Sequence, residues 1–169
     1  AHLNNHIIIL GAGRSGKYLA SGLSKNYPTV IVDHDPGVVA FFREKGMDAV
    51  YGNAHNPEIL EKLHAERARL LVCALPDMDE SSFILSFSKH HFPKLKVYLK
   101  ANYYEDAWKL YKQGADYVVL TEIIGGRAFA ESVDRFLRTG KVEKRINMVL
   151  LKERVLMERE STHGVKTFL

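Results

Sequence analysis

The chain of 169 residues holds a single cysteine, Cys73, so it can form no internal disulfide. Cys73 falls in a strand-like apolar run, where a buried, inert thiol is expected; a reducing, cytosolic setting fits. Long apolar runs are missing as well. Ile7 to Leu10 and Leu70 to Leu75 are far shorter than the roughly 20 residues a membrane helix needs. No N-terminal segment has the pattern of a signal peptide. This is the pattern of a soluble protein, and equally of a soluble piece of a larger membrane protein. Charge of one sign is in small excess: the net charge is +4, with basic residues spread along the chain and some crowding from Lys141 to Lys152. There is no basic arm and no cysteine–histidine finger. Tyr103, Tyr104 and Trp108 fit helix packing better than a base-stacking platform, so nucleic acid is not an expected partner. A modest positive charge suits an anionic ligand.

Catalytic signatures are scarce in the same way. The eight histidines form no H-E-x-x-H pattern and no other metal-ligand spacing. No G-x-S-x-G elbow occurs. The phosphate loop of ATPases is absent, because Lys17 is followed by Tyr18. No catalytic residue and no metal ligand is therefore assigned.

What the chain does contain is a regular alternation. Its composition, 46% hydrophobic and 26% charged, suits a soluble globular fold. Short β-branched runs at His6–Leu10, Thr29–Val32, Ala49–Tyr51, Leu70–Ala74, Lys96–Leu99 and Tyr117–Leu120 read as strands. Between and after them, Lys17–Lys25, Pro36–Glu44, Pro57 to about His64, Asp79–His91, Tyr104–Lys112 and Ile123–Leu137 read as helices. Pro36 starts one helix and Gly46 lies beyond its end; Gly114 caps another. The order βαβαβαβαβαβα predicts an α/β fold, Rossmann-like and doubly wound. It calls for a mainly parallel six-stranded sheet with helices on both faces. Residues 1–140 form the expected nucleotide-binding domain. Residues 141–169 are expected to be an amphipathic extension or linker, with Ile146, Val149, Leu150 and Leu156 at helical spacing.

Gly11, Gly13 and Gly16 make G-x-G-x-x-G directly between the first strand and the first helix. Gly11 permits the tight turn, Gly13 lets the backbone approach a pyrophosphate, and Gly16 lets helix and strand pack closely. The helix N-terminus offers free N–H groups and a positive dipole end to phosphates. Asp33 lies twenty residues beyond Gly13, at the tip of the second strand. A carboxylate there accepts both hydroxyls of an adenosine ribose and repels a 2′-phosphate, which favours NAD(H) or a plain adenine nucleotide such as AMP, ADP or ATP. The bland alternative for Asp33 is a cap on the following helix. Arg14, inside the turn, pairs with a phosphate or remains a solvated arginine. His34 and Asp35 line the adenine edge or cap the helix at Pro36, the cap being the better role for Asp35. Asn53 is a contact near the adenine or a helix cap. Ala74 and Leu75 end the fourth strand where the ligand crevice passes. Lys100 ends the fifth strand with its charge toward that crevice or toward solvent. Glu122, just past the sixth strand, is a ligand contact or the opening of the last helix.

Together these residues resemble the RCK, or KTN, domains: nucleotide-sensing modules of potassium channels, potassium uptake systems and Kef-type potassium–proton antiporters. The turn Gly11-Ala12-Gly13-Arg14-Ser15-Gly16 is similar to the Kef-type version. Val-Asp-His-Asp at 32–35 is similar to the ribose-binding strand end. Tyr-Gly-Asn-Ala at 51–54 resembles the family's Gly-Asp-Ala element, with Asn53 for the usual aspartate and Ala54 beside it. Lys100 stands where arginine is common. Gly-Ala-Asp-Tyr-Val-Val at 114–119, followed by Thr121 and Glu122, is similar to the family's Gly-Ala-Asp strand and the turn after it. The resemblance implies regulation rather than turnover. It implies a domain on the cytoplasmic side of the membrane that binds NAD(H) or an adenine nucleotide. It further implies a homodimer or a higher even oligomer, and a channel or transporter partner that is covalently linked or a separate subunit. It places dimer contacts on the last helix, at Phe129, Val133, Phe136 and Leu137, which otherwise cover their own sheet. The alternative reading is a small NAD-dependent oxidoreductase with its substrate site formed between subunits.

Overall fold

The structure is a computed structural model and describes residues 3–142 except His55 and Pro57. The expected amphipathic stretch beyond Val142 lies outside the described residues. The chain divides into two compact units, 1–120 and 121–169. The first holds β1 (Ile7–Leu10), α1 (Arg14–Leu23), β2 (Thr29–Asp33), α2 (Pro36–Glu44), β3 (Asp48–Tyr51) and α3 (Glu58–Lys62). A 3₁₀ turn (Ala65–Arg67) follows, then β4 (Leu70–Cys73), α4 (Met78–His91), β5 (Lys96–Ala101), α5 (Tyr104–Lys112) and β6 (Tyr117–Leu120). The second unit contains α6 (Thr121–Thr139).

All six strands are parallel, in the order β3-β2-β1-β4-β5-β6. The side-chain period of two divides their apolar residues between two faces. On one face Ile8, Leu10, Val30, Val32, Leu71, Cys73, Val97 and Leu99 pack with Leu60, Ile84, Leu85 and Leu110 from the helices. On the other, Ile9 and Ile31 are fully buried, and α1 and α2 bring Ala20, Val39 and Phe42 inside. At β5 and β6 this second face carries Tyr98 and Tyr117, exposed and with ring centroids 5.1 Å apart. Sheet coverage within the first unit is therefore fuller over β1 and β2 than over β5 and β6.

The six expected strands and the helices between and after them are present among the described residues, with shifted ends. α1 begins three residues before the predicted start, because Arg14, Ser15 and Gly16 are its first turn. The predicted helix ending near His64 is split: α3 stops at Lys62 and His64 takes the left-handed conformation, φ 52°, which costs a non-glycine residue about 1–2 kcal/mol. β5 runs on to Ala101, so Lys100 lies inside the strand. Asp35 caps α2 through Gly37 and Val38, and Asp77 caps α4 through Glu80. Gly114, at φ +98°, ends α5. Among the described residues no helix is long and apolar enough to cross a membrane.

Two polar groups tie the sheet together at the N-terminal ends of its strands. The Asp116 carboxylate accepts from Lys89 of α4, from Lys96 of β5 and from the Val97 amide. Burial pushes its pKa up, but the two ammonium groups and the amide outweigh it and hold the carboxyl at about 2. His6 is buried. Its Nε2–H donates to the Leu63 carbonyl at 2.9 Å, while Nδ1 has no partner among the described residues. A protonated ring would leave a buried Nδ1–H without an acceptor among the described residues, and burial lowers the histidine pKa.

Asp116→Asn is expected to destabilise the fold by about 1.5–3 kcal/mol, at the lower end because Lys96 is largely exposed. Urea denaturation at neutral pH measures this. In the native chain the Asp116 contribution is complete above 3.8 and fades as pH falls through about 2. His6 acts over a different range. The folded state resists protonating it, so stability is complete above about 6.5 and declines as pH falls below that value. In His6→Gln, which keeps an N–H for Leu63, the decline between pH 7 and 5 should flatten; an unchanged slope would assign it to another group.

Candidate nucleotide site

Because every strand is parallel, the C-terminal ends of β1, β2, β3 and β4 share one edge of the sheet. β1 and β4 are neighbours, and the chain leaves β1 toward β2 on one side but leaves β4 toward β5 on the other. In doubly wound sheets a crevice opens at such a switch point. The glycine turn stands there.

Each glycine of the turn has a distinct geometric reason. Gly11 has φ +85°, and a Cβ on it would lie 2.8 Å from Leu75 Cδ2. Gly16 is tighter: its Cβ would lie 2.0 Å from the Gly11 carbonyl oxygen. Gly13 differs from both, since a Cβ there meets nothing within 4 Å and its φ is an ordinary −59°. Nothing within the described fold requires glycine at 13; its bareness faces open space.

The first helical hydrogen bond of α1 runs from Lys17 N to Gly13 O at 2.9 Å, and Gly13 supplies no side-chain cap. Among the described residues the amides of Arg14, Ser15 and Gly16 are thus the unsatisfied donors of a helix N-terminus. Their dipoles favour a negative charge in front of them. The Arg14 side chain is exposed beside them.

Asp33 is 8% exposed. Its Oδ2 accepts from the Ala12 amide at 2.7 Å, and its Oδ1 accepts from the Asp35 amide at 2.9 Å. The acid at the strand tip and the glycine turn are therefore in direct contact. This bond was not foreseen from sequence; its only forewarning is the spacing between Gly13 and Asp33. His34 is exposed, with Nδ1 3.7 Å from Asp33 Oδ1. Capping of α2 falls to Asp35, not to Asp33.

The other expected residues are distributed around this centre. Asn53 is exposed beyond β3, and its carbonyl accepts from Asn56 at 2.9 Å. Ala54 is half-buried against the core. Ala74 continues the β4 ladder, its N–H donating to Leu10 O at 2.8 Å, and is nearly buried. Leu75 is also nearly buried and packs beneath Gly11; it forms floor rather than rim. Lys100 is half-buried and paired with Val119 across the sheet. Glu122 belongs to the second unit, in the first turn of α6. Cys73, at the end of β4, is no nucleophile. Burial raises its pKa above the ordinary thiol value, against smaller opposing effects of the Ser81 hydroxyl and Lys100. A surface hollow of about 560 Å³ lined by Lys25, Tyr27, Lys45 and Asp48 lies at the opposite edge of the sheet. It has none of the amide donors of the turn.

The arrangement can bind an anion at a row of amides and a diol at a fixed carboxylate. The family model of the TrkA-N domain matches residues 7–121. Potassium channel protein 1 of Methanocaldococcus jannaschii is 35% identical over 131 residues, covering 76% of this chain and 39% of its own length. The glutathione-regulated potassium-efflux system protein KefC of Enterobacter sp. (strain 638) is 34% identical over 113 residues, 65% of this chain and 18% of its own length. The crystal structure of the TrkA-N domain of inner membrane protein ybaL from Escherichia coli superposes with a TM-score of 0.73 at 30% identity, covering 78% of this chain and 98% of that one. The chain thus spans well under half the length of these two curated relatives and nearly all of the isolated ybaL domain. With the match running from β1 through the glycine turn, the Asp33 strand tip and the whole parallel sheet, this chain belongs to the TrkA-N domain family.

Proposed function

We propose that this domain is a nucleotide sensor. It binds NAD(H) or an adenine nucleotide and passes the bound state to a potassium or other cation channel or transporter on the cytoplasmic side of a membrane. The observation that carries this is the contact between the turn and the strand tip: three amides of α1 that have no partner among the described residues stand beside a carboxylate whose position is already set. In this reading the amides of Arg14, Ser15 and Gly16 hold the phosphates and the Arg14 guanidinium adds charge. Asp33 takes the ribose diol, His34, Asn53 and Ala54 border the base, Ala74 and Leu75 form the floor, and Lys100 adds positive charge. Proteins of the same fold support the ligand class. GsuK is seen bound to ADP in a structure that matches at 25% identity and to NAD in one that matches at 21%. The Kef domain of Shewanella denitrificans is seen with AMP. The relatives are a channel and an efflux protein, which supports regulation rather than turnover.

Calorimetry with NAD⁺, NADH, AMP, ADP and ATP should find at least one ligand tighter than about 1 mM, or roughly −4 kcal/mol. Gly13→Ala isolates the phosphate contact, since the added methyl meets nothing in the fold. The melting temperature should hold or rise slightly, while affinity falls on the order of tenfold, about 1.4 kcal/mol. Unchanged affinity would remove the turn from the phosphate role.

We infer further that the domain works as a homodimer through α6. This helix exposes Phe129 and Leu137 at 73% and 75%, with Val133 and Phe136 on the same apolar stripe. A contiguous exposed apolar surface of this kind marks an association face. Sedimentation should show a dimer that Phe129→Glu with Leu137→Glu converts to monomer; a wild-type monomer at high micromolar concentration would exclude this interface.

A further inference from the structure

We propose that Asp33 is also the positioning residue of the phosphate turn, so that ribose recognition and phosphate recognition form one coupled site. The proposal rests on the nucleotide reading above and goes beyond the acid's contact with sugar. Its basis is the hydrogen-bond pattern. An ionised carboxylate has about four acceptor positions, two per oxygen. Asp33 uses one on each oxygen for the protein itself, Oδ2 for the Ala12 amide at 2.7 Å and Oδ1 for the Asp35 amide at 2.9 Å. One position per oxygen remains, which matches the two hydroxyls of a ribose diol.

The same bonds define the turn. Ala12 is fully buried, and its amide is committed to Asp33 rather than to an incoming phosphate. The preceding amide, Gly11, donates to Val32 O at 2.9 Å. The two residues that lead into the phosphate-binding stretch are thus both tied to the last two residues of β2. A charge-assisted bond is the stronger of the two kinds. Gly13, by contrast, has no side-chain cap to hold the helix start. The carboxylate of Asp33 therefore sets where the free amides of Arg14, Ser15 and Gly16 point.

This predicts an effect whose sign is the opposite of simple electrostatics. Asp33 is negative, so if it served only the ribose, its removal would leave unchanged or strengthen the binding of a diphosphate that lacks the diol. If it positions the turn, removal weakens that ligand too.

The test uses ADP and 2′,3′-dideoxy-ADP, which keeps the base and the diphosphate but has no diol. Calorimetry compares the wild-type chain with Asp33→Ala, which removes the acceptor of both backbone N–H groups. The expected result is a loss on the order of tenfold for dideoxy-ADP, the equivalent of one hydrogen bond to a charged group, and a larger loss for ADP. Dideoxy-ADP affinity that is unchanged or improved, with ADP weakened, overturns the coupling and leaves Asp33 a ribose contact alone. Circular dichroism and the melting temperature show whether the variant is folded. If it is not, the wild-type chain decides by NMR. A through-bond coupling from the Ala12 amide to the Asp33 carboxyl carbon, with slow exchange of the Ala12 amide in the ligand-free protein, is expected. Absence of both overturns the proposal. A wild-type chain that binds neither nucleotide would count against the nucleotide reading, while the NMR measurement still judges the Asp33–Ala12 link.

Discussion

A side chain at residue 16 would place its first carbon 2.0 Å from the carbonyl oxygen of Gly11. No rotation relieves such an overlap, because both partners are near the backbone. The approach of α1 to the end of β1 therefore exists only with a bare residue there, and much of the site follows from it. Close approach aims the first turn of α1 at the switch point between β1 and β4. Leu75 supports the turn from below, where Gly11 has no side chain to obstruct it. Gly13 then faces outward with nothing of the protein against it. Two of the three glycines are bare because the protein itself fills the space; the third is bare in a direction the protein leaves open.

The electrostatics of the site are built mainly from the backbone. The net charge of the chain is modest, and the positive field in front of the turn comes from oriented amides rather than from a cluster of lysines. Into this field the fold introduces a carboxylate. A buried charge is tolerated only where hydrogen bonds replace its hydration. Two amides do so for Asp33, which is why the residue can be nearly buried and still present acceptor capacity outward. The same bonds that stabilise the charge also fix its direction, a requirement for recognising a diol.

The stabilising polar contacts and the proposed nucleotide site lie at opposite edges of one sheet. At the N-terminal ends of the strands, Asp116 joins α4, β5 and the chain entering β6. His6, also at that edge, joins β1 to the segment after α3. At the C-terminal ends lie the turn, the Asp33 tip and the loops beyond β3 and β4. A parallel sheet makes this separation natural, because all strand ends of one polarity gather on one side. Substitutions at the first edge should act on folding, and those at the second on the ligand.

Much of this was legible in the amino-acid sequence because the information is local. Alternating short β-branched runs and helical patterns determine a parallel doubly wound sheet, and the glycine spacing with an acid twenty residues on marks the proposed nucleotide site. Caps such as Asp35 and Gly114 are equally local, each acting within a few residues of itself. What tertiary structure alone decided involves partners far apart in the chain. It put the Ala12 amide on Asp33 and made Leu75 a floor rather than a rim. It started α1 at Arg14, broke the helix before His64, and left Tyr98 and Tyr117 uncovered in the first unit. Periodicity states which residues prefer the interior and which turn they favour. It carries no record of which distant donor a carboxylate will meet, since that depends on how close two elements can pack.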